Sequence, residues 1–343
     1  MIYIGITITA FAIGFLLVPL NSKFSRLIGN IDYPRERSVH IVSTPKSGGI
    51  SIFFTLVFMQ ILFVTTGIFN SGKLPVYFLI GGFLVVLLGV LDDRFEYSAW
   101  KKLIAESCIV ILMYYFGFKI DLLTNPFGSS IVVGVFSFPL TLVWYLLIMN
   151  SINLIDGLDG LATGIVAIVF LVSGIAGIIC GNLFVAYFSF CFVGSCLAFL
   201  KYNFHPAEIF LGDAGSLFLG FSIASLSIAG NIQFKGAASL TLLVPLIVLM
   251  IPLFDTFHAI FRRLKTPRSI FQADKSHLHH KMLDLGFSYK TVVFIAYFLT
   301  ILLGLISIGF MMINQKILFS LLVIFALFAL IIFYQIVKKE FFK

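Results

Sequence analysis

Long apolar runs separated by short polar segments make up most of the sequence. Examples are ITITAFAIGFLLVPL, ISIFFTLVFMQILFVTTGIF and LTLLVPLIVLMIPLF. A helix needs roughly 18 or more such residues to cross the hydrocarbon core of a bilayer. The pattern predicts eleven membrane-spanning helices, at about residues 2–20, 49–69, 75–91, 102–118, 136–152, 161–180, 183–199, 215–230, 237–257, 291–312 and 316–337.

The amino-acid composition agrees with this pattern and indicates the fold class. Of 343 residues, 60% are hydrophobic and 11% charged, and the mean hydropathy is +1.10. Soluble domains carry about 25% charged residues, and a membrane β-barrel would show short alternating segments instead. We therefore predict an all-α polytopic membrane protein with a single domain over residues 1–343. Because further spans follow it, the first apolar run is expected to be a retained helix.

The basic residues predict how the helices are oriented. With the N-terminus outside, the cytoplasmic segments are about 21–48, 92–101, 153–160, 200–214 and 258–290, together with the C-terminal tail. All but four of the 23 lysine and arginine residues then lie in or beside these segments, as expected for cytoplasmic loops. This bias also explains the net charge of +8 without a nucleic-acid partner. The β-branched, glycine-rich stretch 119–135 is predicted to be an outside loop in which a short strand can form.

With this topology, acidic residues collect at helix ends on the cytoplasmic side. They are Asp92 and Asp93 in LDDR, Asp156 and Asp159 in NLIDGLDGL, Asp213 in LGDAGS and Asp255 in LFDTF. Acids at helix ends are often solvated or cap a helix, and for Asp255 alone that is the simpler explanation. Taken together, the acids indicate a divalent cation. Oxygen ligands with little sulfur or imidazole favour Mg²⁺ or Mn²⁺.

Asn153, Asp156 and Asp159 are spaced three residues apart. If this stretch is helical, the three side chains lie along one face. If the glycines of GLDG break the helix, they line a loop that faces the same pocket. In both arrangements the polar groups point inward, which is how polar residues inside membrane proteins are normally used.

Cysteines and histidines bear on metal binding. The four cysteines all lie in apolar runs without metal-ligand spacing and are expected to be packing residues. His277, His279 and His280 occur in DKSHLHHKM, in a segment that also contains Arg268 and other basic residues. A cationic segment with imidazoles suits a pyrophosphate better than zinc. Contact with anionic lipid headgroups is the alternative.

The motifs together resemble one family. The set comprises DYPRERSVH and TPKSGG in the first loop, then LDDR, NLIDGLDGLATG, KYNFHPAEIFLGDAGS and HLHH. It is similar to the polyprenyl-phosphate N-acetylhexosamine-1-phosphate transferases of glycosyltransferase family 4, the group that includes WecA, TagO and MraY. The resemblance covers residues from about 30 to 290 in the same order. HLHH and PKSGG resemble the WecA/TagO branch, since the muramoyl-pentapeptide branch carries three consecutive histidines and TMGG.

The resemblance implies a reaction and a location. GlcNAc 1-phosphate would pass from its UDP-sugar to undecaprenyl phosphate, releasing UMP and starting a cell-envelope polysaccharide such as O-antigen or teichoic acid. The enzyme would be a Mg²⁺-dependent multi-pass protein of the bacterial inner membrane, active on its cytoplasmic face and compatible with a homodimer. Alternatives are another UDP-N-acetylhexosamine or UDP-MurNAc-pentapeptide as donor. In a different class, a cation- or proton-coupled transporter would also contain membrane acids, although usually near mid-membrane and in repeated halves.

The resemblance also implies roles for individual residues. Asp213 would be the principal metal ligand, helped by Asp156, and Asp92 and Asp93 would lie beside the lipid phosphate as proton acceptor or as covalent nucleophile. The residues expected to bind the nucleotide-sugar or its phosphates are Asn153, Asp156, Asp159, Asn203, Phe210, Arg268, His277, His279, His280, Lys46 and Lys102. Among these, Asn203 and Phe210 resemble the positions that face the uracil.

Overall fold

Helices account for most of the ordered elements in the computed structural model. It describes residues 1–33, 43–69, 72–123, 131–232, 240–250, 252–254, 256, 282–283 and 286–312. Within these residues the helices are α1 (Ile2–Leu27), α2 (Gly49–Thr66), α3 (Leu74–Phe95), α4 (Ala99–Tyr115), α5 (Ser137–Ile155), α6 (Leu161–Ile179), α7 (Leu183–Asn203), α8 (Gly212–Ile232), α9 (Leu240–Val248) and α10 (Tyr289–Met312).

These helices confirm the prediction of a polytopic helical membrane protein. Eight helical stretches among the described residues are long and apolar enough to cross a membrane. Helices α4 and α9, with 17 and 9 residues, are shorter. The predicted span 316–337 lies outside the described residues, so the count of eleven and the orientation of the termini stay predictions.

Several helices continue beyond the ends predicted from hydropathy. Helix α1 ends at Leu27 where the pattern predicted residue 20, and α3, α5 and α7 are each three or four residues longer at the predicted cytoplasmic end. Hydropathy marks where apolar side chains stop, whereas a helix ends only where its backbone hydrogen bonds stop. As a result, Asp92 and Asp93 lie in the last turn of α3, on a rigid element.

Two short strand pairs accompany the helices. Strand β1 (Ile31–Asp32) pairs antiparallel with β2 (Thr44–Pro45), between α1 and α2. Strand β3 (Leu122–Leu123) pairs with β4 (Ile131–Val132), and a 3₁₀ turn at Gly134–Phe136 leads into α5. The second pair matches the short strand predicted for 119–135, whereas the first was not predicted.

Helix α8 forms the centre of the bundle. It contacts α2, α3, α5 and α9, while α1 packs along α7, which in turn contacts α6. Stacked and edge-to-face aromatic rings fill much of the interior; the rings of Phe170 and Phe192, for example, lie 4.1 Å apart at 10°. Helix association inside a bilayer depends on such close packing, because lipid tails are as apolar as the side chains.

Glycines bring the ends of α2 and α3 against the first turn of α8. A Cβ added at Gly89 would overlap the backbone of Ala214, and one added at Gly49 would overlap the backbone of Gly215. Neither neighbour can move away easily, because both are main-chain atoms. The absence of a side chain at Gly49 and Gly89 therefore fixes how closely the acid-bearing ends of α3 and α8 approach each other.

We expect Gly89→Ala to destabilise the protein by about 1–3 kcal/mol, the usual range for overpacking. The methyl group would force α3 away from α8, although alanine itself favours the helix. The measurement is thermal unfolding of the purified protein in detergent. Gly5→Ala in α1 is the matched control, since no atom lies within 4 Å of a Cβ at that position. Equal melting temperatures for the two variants would contradict the packing argument.

Candidate active site

Asp93 caps the N-terminus of α8 from the neighbouring helix α3. Its Oδ1 accepts a hydrogen bond from the Asp213 N–H at 2.9 Å, and its Oδ2 accepts one from the Ala214 N–H at 3.3 Å. A carboxylate is favourable there because the first N–H groups of a helix lack internal partners. Gly212 has φ +69°, and a Cβ on it would lie 2.6 Å from Asp93 Oδ2. Asp93 thereby fixes the position of Asp213, the residue after Gly212.

Ser47 of the PKSGG segment holds Asp93 from the other side. Its hydroxyl donates to Asp93 Oδ2 at 2.8 Å and accepts from the Asn30 side chain at 2.9 Å. The Asn21 side chain also donates to the Ser47 carbonyl at 3.0 Å. Ser47 is fully buried and has φ +68°, a conformation that is uncommon outside glycine and clusters at functional sites. The hydroxyl of Ser47 thus links the first loop to Asp93, the first member of a cluster of acids that also includes Asp92, Asp156 and Asp213.

Lys102 joins the acids of two helices through one ammonium group. Its Nζ donates to Asp213 Oδ2 at 2.8 Å and lies 2.9 Å from Asp92 Oδ2, with a longer contact of 3.4 Å to Asn153 Oδ1. The Asn153 amide donates in turn to Asp213 Oδ1 at 2.6 Å. Side chains from α3, α4, α5 and α8 therefore meet at this point, as the sequence analysis expected for Asp92, Asn153 and Asp213.

Asp156 lies in the turn between α5 and α6. Of the two arrangements predicted for NLIDGLDGL, the structure has the one in which the helix ends and the acids lie in a loop. Helix α5 ends at Ile155, and Gly160 adopts φ +76° before α6 begins. Burial raises the pKa of Asp156 well above its usual range, and the nearby carboxylates of Asp213, Asp93 and Asp159 raise it further. The charged form of Asp156 is therefore disfavoured where it lies, in a buried place beside other carboxyl groups.

Asp159 anchors a second group of contacts at the other end of the same turn. Its Oδ2 lies 2.9 Å from His205 Nδ1 and accepts from the Ala207 N–H at 3.2 Å. The Asp159 N–H donates to the Tyr289 hydroxyl, and Tyr297 donates to the Gly160 carbonyl at 2.5 Å. Helix α10 is thus fastened to the turn that carries Asp156 and Asp159.

Asn203, Phe210 and Lys46 lie around this cluster and contact other groups. Asn203 is buried; its Oδ1 accepts from the Gly160 N–H at 3.1 Å and its amide donates to the Ile209 carbonyl at 3.0 Å. The backbone of Phe210 bonds to Pro45 and Gly48. Lys46 pairs with Asp32 at 3.1 Å. The uracil and phosphate contacts of these residues stay predictions.

Part of the predicted site lies outside the described residues. These positions are Arg268, His277, His279, His280 and Asp255. Helix α10 begins at Tyr289, nine residues after His280, and its first turn contacts Asp159. Helix α10, which follows this segment in the sequence, therefore contacts one of the predicted site residues, Asp159.

The donor set of the cluster fits a hard divalent cation. Among the described residues, no three Asp, Glu, His or Cys side chains converge on one metal-sized point. Mg²⁺ does not require such a group, because it is usually held by one or two carboxylates together with waters and substrate phosphates. Asp213 and Asp156 have carboxyl oxygens of the right kind, and the Asp213 carboxylate lies near enough to raise the pKa of Asp156.

The structure adds residues that the sequence analysis did not single out. Ser47 and His205 lie within quoted motifs, but nothing in the sequence indicated that they contact Asp93 and Asp159. Ser216, one turn after Asp213, accepts from the Asn153 amide at 2.8 Å. Glu106, one turn from Lys102 on α4, is fully buried and accepts from Asn150 at 2.8 Å. A polar residue at i+3 or i+4 from a site residue was the available signal for these two.

Comparison with known proteins identifies the family of the chain. The model for glycosyl transferase family 4 matches residues 75–231, which include Asp92, Asp93, Asp156, Asp159 and Asp213. A probable undecaprenyl-phosphate N-acetylglucosaminyl 1-phosphate transferase of Bacillus subtilis is 36% identical, over 94% of this chain and 88% of the relative.

Two further relatives differ in their named substrates. A decaprenyl-phosphate N-acetylglucosaminephosphotransferase of Mycobacterium tuberculosis is 35% identical, over 89% of this chain and 80% of the relative. A phospho-N-acetylmuramoyl-pentapeptide-transferase of Clostridium botulinum is 30% identical, over 77% of this chain and 81% of the relative. The family model matches residues 75–231, and a relative is 36% identical over 94% of this chain. The chain therefore belongs to glycosyl transferase family 4.

Proposed function

We propose that the protein transfers N-acetylglucosamine 1-phosphate from UDP-GlcNAc to undecaprenyl phosphate and releases UMP. The observation that carries this proposal is the meeting of Asp92 and Asp213 at Lys102, with Asp93 bound to the first N–H groups of α8 beside them, at one end of the bundle. Such a site can bring a phosphate at a membrane surface together with a soluble pyrophosphate. The names of relatives that are 36% and 35% identical support GlcNAc 1-phosphate as the transferred group.

The reaction joins two anions, so neutralising charge is the main catalytic task. An oxygen of the acceptor phosphate attacks the phosphorus that carries the sugar, and the bond from that phosphorus to the UMP oxygen breaks. Lys102 offers a buried ammonium beside Asp92 and Asp213. Asn153 orients Asp213 through its amide. These contacts hold the reacting groups in one geometry before substrate arrives.

The two adjacent aspartates have different partners, which supports different roles. Asp93 accepts three hydrogen bonds that hold α8 and the first loop together. Asp92 accepts one backbone N–H, from Tyr97, and its other oxygen pairs with the flexible side chain of Lys102. We therefore assign removal of the last acceptor proton to Asp92 and positioning to Asp93. The proton transfer is modest because phosphate titrates near neutral pH.

Asp213 and Asp156 would hold Mg²⁺, with Mn²⁺ as a substitute. The ion would supply charge neutralisation at the pyrophosphate and so make UMP a better leaving group. The nearness of Asp156 to the carboxylates of Asp213 and Asp93 supports this assignment, since a cation there would relieve their mutual repulsion. Asn203, Phe210, Lys46, Arg268, His277, His279 and His280 remain the proposed contacts of the nucleotide-sugar.

The proposed setting is the cytoplasmic face of a bacterial inner membrane. Eleven spans with the N-terminus outside and the C-terminus inside would put every motif on that face, where UDP-sugars are available. The distribution of lysine and arginine supports this orientation. The product would start a cell-envelope polysaccharide such as O-antigen or teichoic acid, and a homodimer is compatible with the fold.

Two other functions compete with this one. The relative named as a phospho-N-acetylmuramoyl-pentapeptide-transferase is 30% identical and favours the same chemistry with a different donor. A cation- or proton-coupled transporter would also place acids in a helical bundle. Transporter sites usually lie near mid-membrane in broken helices, whereas the acids here lie at helix ends and in the turn after α5.

Purified protein in detergent with Mg²⁺ is expected to release UMP from UDP-GlcNAc only when a polyprenyl phosphate is present. Chelation with EDTA should stop the release, and added Mg²⁺ should restore it. A panel of UDP-GlcNAc, UDP-GalNAc and UDP-MurNAc-pentapeptide identifies the donor. The transferase proposal is wrong if folded protein releases no UMP from any of the three, and ion flux in liposomes without nucleotide-sugar would favour the transporter.

Asp213→Asn is expected to lower kcat by about 10²–10³-fold, the range for loss of one preorganised electrostatic group. The amide keeps the size of the side chain but removes the negative charge that faces Lys102. Asp121→Asn is the matched control, since Asp121 lies half-exposed in the β3–β4 region and pairs with Lys119. We measure kcat by UMP release and folding by thermal unfolding. Wild-type kcat in folded Asp213→Asn would contradict the role of Asp213.

A further inference from the structure

His205 belongs to a carboxylate–imidazole pair to which no role has been given. It lies in the connection between α7 and α8, and its Nδ1 is 2.9 Å from Asp159 Oδ2. Its ring stacks on Tyr289 with the centroids 4.4 Å apart and an interplanar angle of 27°. The ring is therefore held both at one edge and on one face, by residues from two other parts of the chain.

The contacts of Asp159 determine which nitrogen of His205 carries a proton. Asp159 Oδ2 also accepts from the Ala207 N–H at 3.2 Å, so this oxygen is a hydrogen-bond acceptor. The hydrogen on His205 Nδ1 therefore points at Asp159. In the neutral ring the other nitrogen, Nε2, is then an acceptor. Histidines that bind a metal through one nitrogen are commonly held by a carboxylate at the other in this same way, so the arrangement is one that leaves Nε2 oriented for a ligand.

The side chain of His205 is partly accessible. The side chain is 38% exposed, whereas that of Asp159 is 18% exposed. Within the described part of the chain, the contacts of the imidazole are Asp159 on Nδ1 and Tyr289 on the ring face. An acceptor in this position needs an N–H or O–H partner. The donor's pyrophosphate and the polyprenyl chain carry no such group at neutral pH, and the acceptor phosphate carries at most the one proton assigned above to Asp92. A nucleotide-sugar has several ring hydroxyls and an imide N–H.

We propose that Nε2 of His205, oriented by Asp159 and Tyr289, accepts a hydrogen bond from a hydroxyl or imide N–H group of the nucleotide-sugar. This inference rests on the proposed transferase function and adds a substrate-binding residue to it. It also gives Asp159 a defined task, which is to orient the imidazole. The turn that carries Asp156 and Asp159 would then connect the acidic residues around Asp213 to a hydrogen-bond acceptor, Nε2 of His205, that binds the nucleotide-sugar.

Two substitutions distinguish substrate binding by Nε2 from a structural role in which His205 only links its loop to Asp159. In His205→Asn the amide can still donate to Asp159 from the position of Nδ1, but nothing remains at the position of Nε2. In His205→Gln the longer amide can offer an acceptor oxygen near that position. Tyr202→Phe is the control for local disturbance. Tyr202 lies near the end of α7, three residues before His205, and its hydroxyl donates a long hydrogen bond of 3.4 Å to the Phe15 carbonyl.

The experiment uses the full chain in detergent and measures UMP release, UMP binding without acceptor lipid, and thermal unfolding. We expect His205→Asn to raise KM for UDP-GlcNAc about tenfold, equivalent to about 1.4 kcal/mol. The kcat, the KM for polyprenyl phosphate and the melting temperature should stay near wild type, and His205→Gln should recover part of the loss. Weaker UMP binding would identify a group of the nucleoside, and unchanged UMP binding would identify a sugar hydroxyl.

Two results would overturn the assignment. The first is a wild-type KM for UDP-GlcNAc in His205→Asn, which would leave His205 with a tether role only. The second is an equal rise in KM for both substrates in both variants with a lower melting temperature, which would indicate general loss of structure. Failure of the transferase proposal is distinguishable, since the wild-type protein itself would then release no UMP.

Discussion

The ammonium group of Lys102 is the interaction on which the arrangement of the site depends. It donates to Asp213, pairs with Asp92 and reaches the side-chain oxygen Oδ1 of Asn153, so the three hydrogens of one ammonium meet three acceptors. Without this cation, two carboxylates from different helices would repel each other in a poorly hydrated place. Removing one partner of a buried ion pair typically destabilises a protein by about 3–5 kcal/mol. The helix ends therefore stay together because their charges are shared.

Charge sharing of this kind requires that the helices approach closely, and the glycines make that possible. Gly89 and Gly49 let α3 and α2 contact the backbone at the start of α8. The same approach brings Asp93 within hydrogen-bond distance of two N–H groups of α8. Packing and electrostatics thus act on the same few residues, so a change in either alters the position of Asp213.

The sequence predicts the elements better than their contacts. Apolar length and basic loops are local properties, so the helices and the grouping of Asp92, Asp156 and Asp213 on one side could be predicted. Helix ends could not, because backbone hydrogen bonds continue past the apolar residues. The contact of Ser47 with Asp93 joins residues 46 positions apart. This contact depends on the positive φ of Ser47 and on the close approach of helices at Gly49 and Gly89. No local sequence pattern encodes either feature.

The two ends of the site have different chemistry, and this difference bears on how two substrates are sorted. The ammonium of Lys102 already faces the carboxylates of Asp92 and Asp213, so a phosphate that approaches it must enter a network of charges. Around His205 the ring presents its Nε2 edge and is held by Asp159 and Tyr289. A lipid phosphate presents oxygen anions with at most one proton, whereas a nucleotide-sugar has both charge and several neutral hydrogen-bond donors. A neutral acceptor at one end would therefore discriminate between them without adding charge to the acid cluster.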